Sequence, residues 1–447
     1  GKLYILQTRP VTTLKAPATT TVAEESGVSV LLKGSPASPG LGSGPVKVVL
    51  DPSRTDEIEQ GDILVAEMTT PDFVPAMKRA AGIVTDRGGR TCHAAIVSRE
   101  LGIPCVVGVG DGTRVLKPGQ IVTVDGSLGK VYEGKVAGKV SSAKKVVPRT
   151  DTATRTRIYV NLAEPELAAA VASRHVDGVG LLRAEFMVAQ IGEHPRYMLR
   201  EGRGSEFTER LFQGLNSFAK AFSPRPVVYR TTDFKTNEYR NLKGGQEYEE
   251  PEENPMLGYR GCSRYIKELD VFRLELEAIK RVRESYSNLW VMIPFVRTVE
   301  EISRIRDLLI AEGLPQREDF KLWMMVEVPS NIFLIDKFLD VGIDGISIGS
   351  NDLTQLILGI DRDSQKLADD FDERDEAVLI ALEKAIKAAA SRGVTSSICG
   401  QAPSFYPELT EKLVEWGITS ISVNPDVIEK TREIVALAEQ RLHSTLP

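Results

Sequence analysis

Residues 322–352 read LWMMVEVPSNIFLIDKFLDVGIDGISIGSND. The stretch opens with a short apolar segment, Leu322–Val326, and reaches a second one, Gly345–Ile348, before the polar residues that close it. The pattern between these segments favours a helix. A strand, a helix and a strand in this order form the unit that joins neighbouring parallel strands of an α/β fold.

The same unit recurs along the chain from about Thr156. Helical patterns with charged outer faces, such as Glu300–Glu312 and Arg374–Arg392, separate the apolar segments. The strand candidates are Arg157–Leu162, Val179–Leu182, Val227–Tyr229, Leu289–Phe295, Leu322–Val326, Gly345–Ile348, Thr395–Ile398 and Ser420–Val423. Eight such strands predict a TIM (β/α)8 barrel rather than a doubly wound sheet.

The part of the chain before the barrel favours a small α/β domain. Its strand candidates are Gly44–Leu50, Asp62–Ala66, Gly82–Thr85, Cys105–Val107 and Ile121–Asp125. One helix is predicted near Pro71–Ala81 and a second at Cys92–Leu101. Thr91 is a plausible N-cap of the second helix, and Gly102 follows its end.

These patterns divide the chain into four segments. Residues 1–30 form a tail and a Thr-, Ala- and Ser-rich linker, and residues 31–138 form the small domain. Residues 139–155 form a second linker, and residues 156–447 form the barrel. The chain begins without methionine inside a strand-like run, so we expect it to be a fragment of a longer polypeptide.

The bulk composition excludes several protein classes. Hydrophobic residues make up 42% of the chain and charged residues 26%, with a net charge of −6 and both signs interspersed. This balance argues against a general nucleic-acid binder, and no apolar run is long enough to span a bilayer. The four cysteines form no CxxC pair, which favours reduced thiols in a cytoplasmic protein.

A barrel places its catalytic groups where strands end and the following loops begin. Arg183 and Arg230 end the second and third strands, and a planar guanidinium can bind a carboxylate or a phosphate with two hydrogen bonds. The alternative is that each arginine pairs with a nearby carboxylate, Glu185 or Asp233.

Two carboxylates and a thiol lie at the ends of later strands. Glu327 and Asp352 suit a Mg²⁺ ion, which typically takes one or two protein carboxylates, although each could instead cap the next helix. Cys399 follows the seventh strand and could act as an acid or a base, although a lone cysteine there is more often a small buried residue.

His93 lies in the stretch DRGGRTCHAAI, residues 86–96. Glycines allow close approach to the start of the following helix, whose free amides attract anions, and Arg87 and Arg90 add positive charge. An imidazole in this place could carry a phosphoryl group as a covalent intermediate. The alternative is an ordinary helix-start histidine with one hydrogen bond.

Gly88–Ile96 resembles the phosphohistidine signature of the PEP-utilising enzyme family, and Ser350–Leu356 with Asp361–Ser364 resembles its barrel signature. Ser38-Pro39-Gly40 is also similar to the start of the family's phosphohistidine domain. Within the family, the alternatives are phosphoenolpyruvate synthases, pyruvate phosphate dikinases and enzyme I of the sugar phosphotransferase system.

Cys92, Cys399-Gly400-Gln401 and the segment Asn237–Gly261 are similar to the synthase branch. The dikinases usually have Ser before the histidine and Glu after the Cys-Gly pair. Ala402 departs from the synthase pattern, which has Gly at that position. A rival from another class is a non-catalytic phosphocarrier scaffold, which predicts losses among the residues at the strand ends.

The resemblance implies a swivelling small domain that carries phosphate between an ATP site and a magnesium-dependent pyruvate/PEP site in the barrel. The implied roles are phosphocarrier for His93, proton donor and acceptor for Cys399, magnesium ligands for Glu327 and Asp352, and substrate contacts for Arg183, Arg230, Glu327, Gly349, Ser350, Asn351, Asp352 and Arg362, with Arg260 and Arg297 as weaker candidates. The resemblance also implies that ATP binds to a domain before this chain, and that Leu3–Pro10 is the last strand of that domain.

Three further expectations concern partners and regulation. The protein is expected to form a homo-oligomer through the barrel and to bind neither nucleic acid nor membrane. Thr91, two residues before His93, is a candidate phosphorylation site for a regulatory kinase/phosphorylase. The alternative for Thr91 is a simple helix cap.

Overall fold

The computed structural model describes residues 29–90, 92–136, 153–362, 364–367 and 370–444. It contains an eight-stranded sheet followed by a closed barrel of eight strands. The predicted fold class, an α/β protein with a small domain before a TIM barrel, is confirmed. Almost all of the predicted segment 1–30 and most of the predicted linker 139–155 lie outside the described residues, so the domain boundaries there stay predictions.

The small domain is built on a mixed sheet. Its strands are β1 (Val30–Lys33), β2 (Ser35–Ser38), β3 (Leu41–Val48), β4 (Ile63–Ala66), β5 (Gly82–Thr85), β6 (Cys105–Val107), β7 (Ile121–Asp125) and β8 (Lys130–Glu133). Its helices are α1 (Val74–Arg79), α2 (His93–Leu101) and α3 (Gly112–Val115). The strand order is β1-β8-β7-β3-β4-β5-β6-β2, with β3 to β6 parallel and the remaining pairs antiparallel.

Helix α2 carries His93 at its first position. Cys92 occupies the N-cap position, so the predicted capping role of Thr91 was wrong by one residue, and Thr91 itself lies outside the described residues. At the other end Gly102 adopts φ 67°, a left-handed conformation that glycine accepts without steric cost and that ends the helix as predicted. The apolar face of α2 packs into a core shared with α1.

The barrel follows from residue 157. Its strands are β9 (Arg157–Leu162), β10 (Gly178–Arg183), β11 (Val227–Arg230), β12 (Leu289–Ile293), β13 (Leu322–Val326), β14 (Gly345–Ile348), β15 (Thr395–Ile398) and β16 (Ser420–Val423). Each strand pairs in parallel with the next, and β16 pairs with β9 to close the barrel.

The barrel strands are surrounded by helices that bury apolar faces against them. These helices are α4 (Ala168–Ala172), α5 (Glu185–Ile191), α6 (Pro195–Arg200), α7 (Gly204–Phe222), α8 (Thr236–Arg240), α9 (Cys262–Lys267), α10 (Leu269–Arg283), α11 (Val299–Ala311), α12 (Pro329–Phe333), α13 (Ile335–Asp340), α14 (Ser350–Leu358), α15 (Glu376–Ser391), α16 (Ala402–Phe405), α17 (Pro407–Glu415) and α18 (Ile428–Ser444). None of the described helices has the length and apolar character needed to cross a membrane.

Side chains fill the inside of the barrel. Tyr159, Met325 and Trp323 belong to this inner core. Gly345 makes room for the indole of Trp323, because a Cβ at residue 345 would lie 2.4 Å from that ring. The barrel is therefore a packed core rather than a channel, and its chemistry is confined to the ends of the strands.

The small domain is docked on the carboxyl-terminal end of the barrel. Phe186 of the barrel packs into the core of α1 and α2. Arg99 of α2 donates to Gln401 Oε1 at 2.9 Å and stacks on Phe405, with its Cζ 4.3 Å from the ring centroid. An ion pair, Lys78 with Glu164, joins the domains away from α2. Apolar and charged contacts together hold the two domains in this arrangement.

Candidate functional site

The start of α2 and the carboxyl-terminal ends of the barrel strands enclose a cavity of about 150 Å³. The residues singled out in the sequence that line it are His93, Arg183, Arg230, Glu327, Gly349, Asn351, Asp352, Arg362 and Cys399, with Arg260 of the weaker candidates. Docking of the small domain thus brings His93 into the same cavity as the charged groups of the barrel.

The imidazole of His93 has one occupied and one available nitrogen. Its Nδ1 lies 2.9 Å from the hydroxyl of Thr69, and its buried Nε2 has no hydrogen-bond partner among the described residues. When Nδ1 carries the proton and donates it to Thr69, Nε2 keeps a lone pair directed at no protein group. Burial, reinforced by Lys235 and Arg183, lowers the pKa of His93 to about 3. The ring is therefore neutral at physiological pH, and a lone pair stays available on Nε2.

Docking of the small domain should consequently weaken in mild acid. A free imidazole has a pKa of about 6.5, whereas the docked ring has a pKa of about 3. Protonation of His93 therefore favours the undocked state. The contribution of the neutral ring to the free energy of docking is complete above about pH 6.5 and falls by about 1.4 kcal/mol per pH unit below it. Small-angle scattering of the whole chain between pH 7.5 and 5.5 should show expansion. His93→Gln should remove this dependence, and identical profiles for both proteins would contradict it.

The cavity arginines differ in their protein partners. Arg230 pairs with Glu185 at 3.0 Å and with Asp233 at 3.7 Å, and these neighbours keep the pKa of Arg230 above its ordinary value despite burial. The sequence allowed a pair between Arg183 and Glu185, but the structure shows a different partner. Nη1 of Arg183 donates to Glu100 of the small domain. Both guanidiniums face a cavity that an anion could enter.

Glu327 and Asp352 bring two buried carboxylates to the cavity. Burial and the negative charge of Asp352 raise the pKa of Glu327. Burial also opposes ionisation of Asp352, but Arg362 at 2.9 Å and Arg260 at 3.2 Å hold its pKa low. Two buried carboxylates that repel each other are a favourable place for a divalent cation, because the cation would relieve their repulsion.

The backbone around Glu327 is shaped to hold its carboxylate. Phe295 adopts φ 47°, unusual for a non-glycine residue, and its N–H donates to Glu327 Oε1 at 2.7 Å. The guanidinium of Arg260 stacks on the ring of Phe295 at 4.1 Å. Gly349 supplies the space on the other side, since a Cβ there would lie 2.6 Å from Glu327 Oε2. The strained backbone at Phe295 and the missing side chain at Gly349 together fix the position of the Glu327 carboxylate.

The thiol of Cys399 is buried at the end of β15, and its Sγ lies 3.7 Å from the carbonyl oxygen of Ile348. Burial raises the pKa of this thiol to about 11. The sulfur is therefore protonated at neutral pH and is a potential proton donor. The sequence left open whether Cys399 is only a small buried residue; the structure shows that it is buried and also lines the cavity.

Two of the sequence candidates lie outside the cavity lining. Ser350 is fully buried behind it and donates its hydroxyl to Glu373 Oε1 at 2.5 Å. Arg297 is directed to Ser263, whose hydroxyl accepts from its Nη1 at 3.0 Å, and to backbone carbonyls. The geometry supports a direct substrate contact for neither residue, because protein groups already occupy their polar atoms.

Sequence reasoning missed three residues beside the cavity. Thr69 follows β4 and carried no motif signal. Lys235 lines the cavity and lies a few residues beyond the end of β11, past the strand-end positions that were considered. Glu100 could have been found, because it lies seven residues after His93 in α2 and so shares a helix face with it.

Comparison with known families accounts for this arrangement. The family model described as the PEP-utilising enzyme, PEP-binding domain, matches residues 138–440, and the model described as the PEP-utilising enzyme, mobile domain, matches residues 58–129. The chain belongs to the PEP-utilising enzymes. The resemblance inferred from the motifs around His93 and Asp352 is thereby confirmed.

Relatives within the PEP-utilising enzymes carry the synthase name. The chain is 51% identical over 444 residues to the "Probable phosphoenolpyruvate synthase" of Staphylothermus marinus, covering 94% of this chain and 53% of that protein. It is 51% identical to the phosphoenolpyruvate synthase of Aeropyrum pernix, covering 98% of this chain and 57% of that protein. It is 48% identical to the phosphoenolpyruvate synthase of Pyrococcus furiosus, covering 99% of this chain and 55% of that protein. The chain thus spans a little over half the length of these relatives.

Proposed function

We propose that this chain is the phosphocarrier and pyruvate/phosphoenolpyruvate half of a phosphoenolpyruvate synthase. The complete enzyme would convert ATP, pyruvate and water into AMP, phosphoenolpyruvate and phosphate. The observation that carries the proposal is the available Nε2 of His93 in one cavity with the guanidiniums, carboxylates and thiol of the barrel. The names of the relatives favour a synthase over a dikinase or enzyme I.

In the direction of synthesis, the P–N bond at His93 breaks and a P–O bond to the enolate oxygen of pyruvate forms. The enolate arises when a proton moves from the methyl group to the deprotonated sulfur of Cys399, which is the minor form at neutral pH because burial raises the pKa of the thiol to about 11. In reverse, the P–O bond of phosphoenolpyruvate breaks, the P–N bond forms at Nε2, and the thiol returns its proton to the methylene carbon. Arg183 and Arg230 bind the substrate anion and stabilise charge on its oxygens.

The residues present fit a Mg²⁺ ion. Glu327 and Asp352 would hold it. The site therefore has two protein ligands, since the described residues contain no group of three or more His, Cys, Asp or Glu side chains that could hold a metal. Two carboxylates are a usual protein contribution for Mg²⁺, which takes its other ligands from water and substrate. When bound, the ion neutralises negative charge on the substrate oxygens.

The presence of the whole set argues against a non-catalytic phosphocarrier scaffold. Such a scaffold needs His93 but has no use for a buried thiol or for a pair of carboxylates at the strand ends. The polar groups are costly to bury and lie together in one cavity, which favours retained chemistry.

The test is incubation of the chain with labelled phosphoenolpyruvate and magnesium. We expect one phosphate per chain, acid-labile and base-stable as befits a phosphohistidine, and release of one pyruvate in a single burst without turnover. Peptide mass analysis should place the phosphate on the peptide that contains His93. Oxalate, a planar mimic of the enolate, should prevent labelling. Absence of both labelling and oxalate binding would disprove the proposal.

Cys399→Ala should separate proton transfer from phosphoryl transfer. Loss of the acid–base group should slow exchange of pyruvate methyl protons with solvent by about 100- to 10,000-fold. In the complete enzyme, labelled phosphate from ATP should still reach His93, because that step moves no carbon-bound proton. Cys262→Ala, another buried free cysteine, is the matched control and should retain exchange. Normal exchange in Cys399→Ala would contradict the assigned role.

Other expectations stay predictions. Thr91 lies outside the described residues, and its regulation by a kinase/phosphorylase is part of the proposal only through the family resemblance. The same holds for a homo-oligomer formed through the barrel, for ATP binding by a further domain and for a cytoplasmic location.

A further inference from the structure

Glu100 places a carboxylate of the small domain on a guanidinium of the cavity. It lies two helical turns after His93 in α2, so one helix carries both residues. Its Oε1 accepts a hydrogen bond from Nη1 of Arg183 across the domain boundary. The side chain of Glu100 is 1% exposed and that of Arg183 is 12% exposed.

This ion pair is incompletely satisfied. The second carboxylate oxygen of Glu100, Oε2, is buried and has no hydrogen-bond partner among the described residues. A buried carboxylate with one unpartnered oxygen contributes little net stability to the contact, because desolvation offsets the attraction. Stabilisation of the docked domains is therefore a poor explanation for the contact between Glu100 and Arg183.

The same guanidinium is the group that the proposed function assigns to a substrate anion, and the inference rests on that assignment. A carboxylate bound at Nη1 reduces the donors of Arg183 that remain for a ligand. Its negative charge also repels the carboxylate or phosphoryl group of a ligand, and the repulsion is weakly screened because the side chains of Glu100 and Arg183 are buried. Both effects lower the affinity of the cavity for an anionic ligand.

We propose that Glu100 competes with the substrate anion for Arg183, so that the docked small domain lowers the affinity of the cavity for phosphoenolpyruvate and pyruvate. Because coupling between two binding events is reciprocal, an anion on Arg183 weakens docking to the same extent. The small domain therefore delivers the carrier histidine together with an internal anion that promotes release of the product.

The structure offers a way to alter docking without touching Arg183. Lys78 of α1 pairs with Glu164 at the start of the barrel, and neither residue lines the cavity. Glu164→Gln should weaken docking while it leaves the cavity residues in place. This variant separates the effect of docking from the effect of the charge on Glu100.

The experiment is calorimetric titration of the full chain with oxalate at saturating magnesium. Glu100→Gln retains the shape and an oxygen acceptor for Arg183 but removes the charge, and it should bind oxalate roughly 5- to 50-fold more tightly than the wild type. Glu164→Gln should also tighten binding in the wild-type background. It should have no further effect in the Glu100→Gln background, because the coupling is already lost there.

Unchanged or weaker oxalate binding by Glu100→Gln, with a wild-type circular dichroism spectrum and melting temperature, would overturn the proposal. An equal effect of Glu164→Gln in both backgrounds would overturn it as well, since Glu100 would then act independently of docking. If the wild-type chain binds no oxalate, the proposed function fails first. If it binds oxalate and the variants do not differ from it, only the inference about Glu100 fails.

Discussion

Replacing Glu327 and Asp352 together by alanine is expected to abolish the magnesium-dependent binding of oxalate. The two side chains are the acidic groups that we assign to the metal, and both are buried at the cavity. Without them Mg²⁺ loses both of the carboxylates assigned to it, and the dissociation constant of oxalate should rise by about 1,000-fold or more. Calorimetry with and without magnesium measures the change directly.

The same double variant should retain its fold. The two carboxylates repel each other, and burial raises the pKa of Glu327, so their removal relieves an unfavourable interaction. It also leaves Arg260 with Asp233 as its remaining carboxylate partner. The matched control replaces two exposed carboxylates, Glu300 and Asp336, by alanine and should bind oxalate normally. Binding by the cavity variant that still requires magnesium would show that the metal lies elsewhere.

The barrel could be predicted from the sequence because its strands are short and most of their residues are buried. Apolar runs bounded by glycine, proline and charged residues predict strand, and β13 and β14 were located to the residue. Predicted strand Leu289–Phe295 was too long. It ends at Ile293, because Pro294 and the left-handed Phe295 turn the chain towards Glu327. This turn places the N–H of Phe295 where it donates to Glu327 in the cavity.

The edges of the small-domain sheet were missed for a physical reason. β1 and β2 are the two edge strands, and β2 contains Pro36 directly after its first residue, Ser35. Proline donates no backbone hydrogen bond and is tolerated at sheet edges, so the pattern there does not resemble a strand. The β8 strand, Lys130–Glu133, was also overlooked; it is short and pairs between β1 and β7.

Most of the site follows from strand order, and the remainder depends on domain docking. A parallel barrel brings the ends of its strands together whatever the loops contain, so Arg183, Glu327 and Cys399 could be assigned to one cavity from the sequence. No local pattern states how a second domain lies on the barrel. The contacts of Glu100 and Thr69 therefore appear only in the folded protein.

Replacing His93 by alanine is expected to eliminate all labelling by phosphoenolpyruvate. Nε2 of His93 is the nitrogen available in the cavity, and its low pKa keeps it unprotonated at neutral pH. No pyruvate burst should appear, because the phosphoryl group has no acceptor. Oxalate should still bind, since Arg230, Glu327 and Asp352 belong to the barrel and are unchanged.

The matched control is His175→Ala. His175 precedes β10, at the end of the barrel opposite the cavity, so its loss should leave labelling and the pyruvate burst intact. The comparison requires quantitative gel analysis in acid and in base together with mass analysis of the labelled peptide. Phosphate on His93→Ala would show that another residue is the acceptor. Loss of oxalate binding in the same variant would show that His93 supports the shape of the cavity, and the absence of label could then not be assigned to the missing nucleophile.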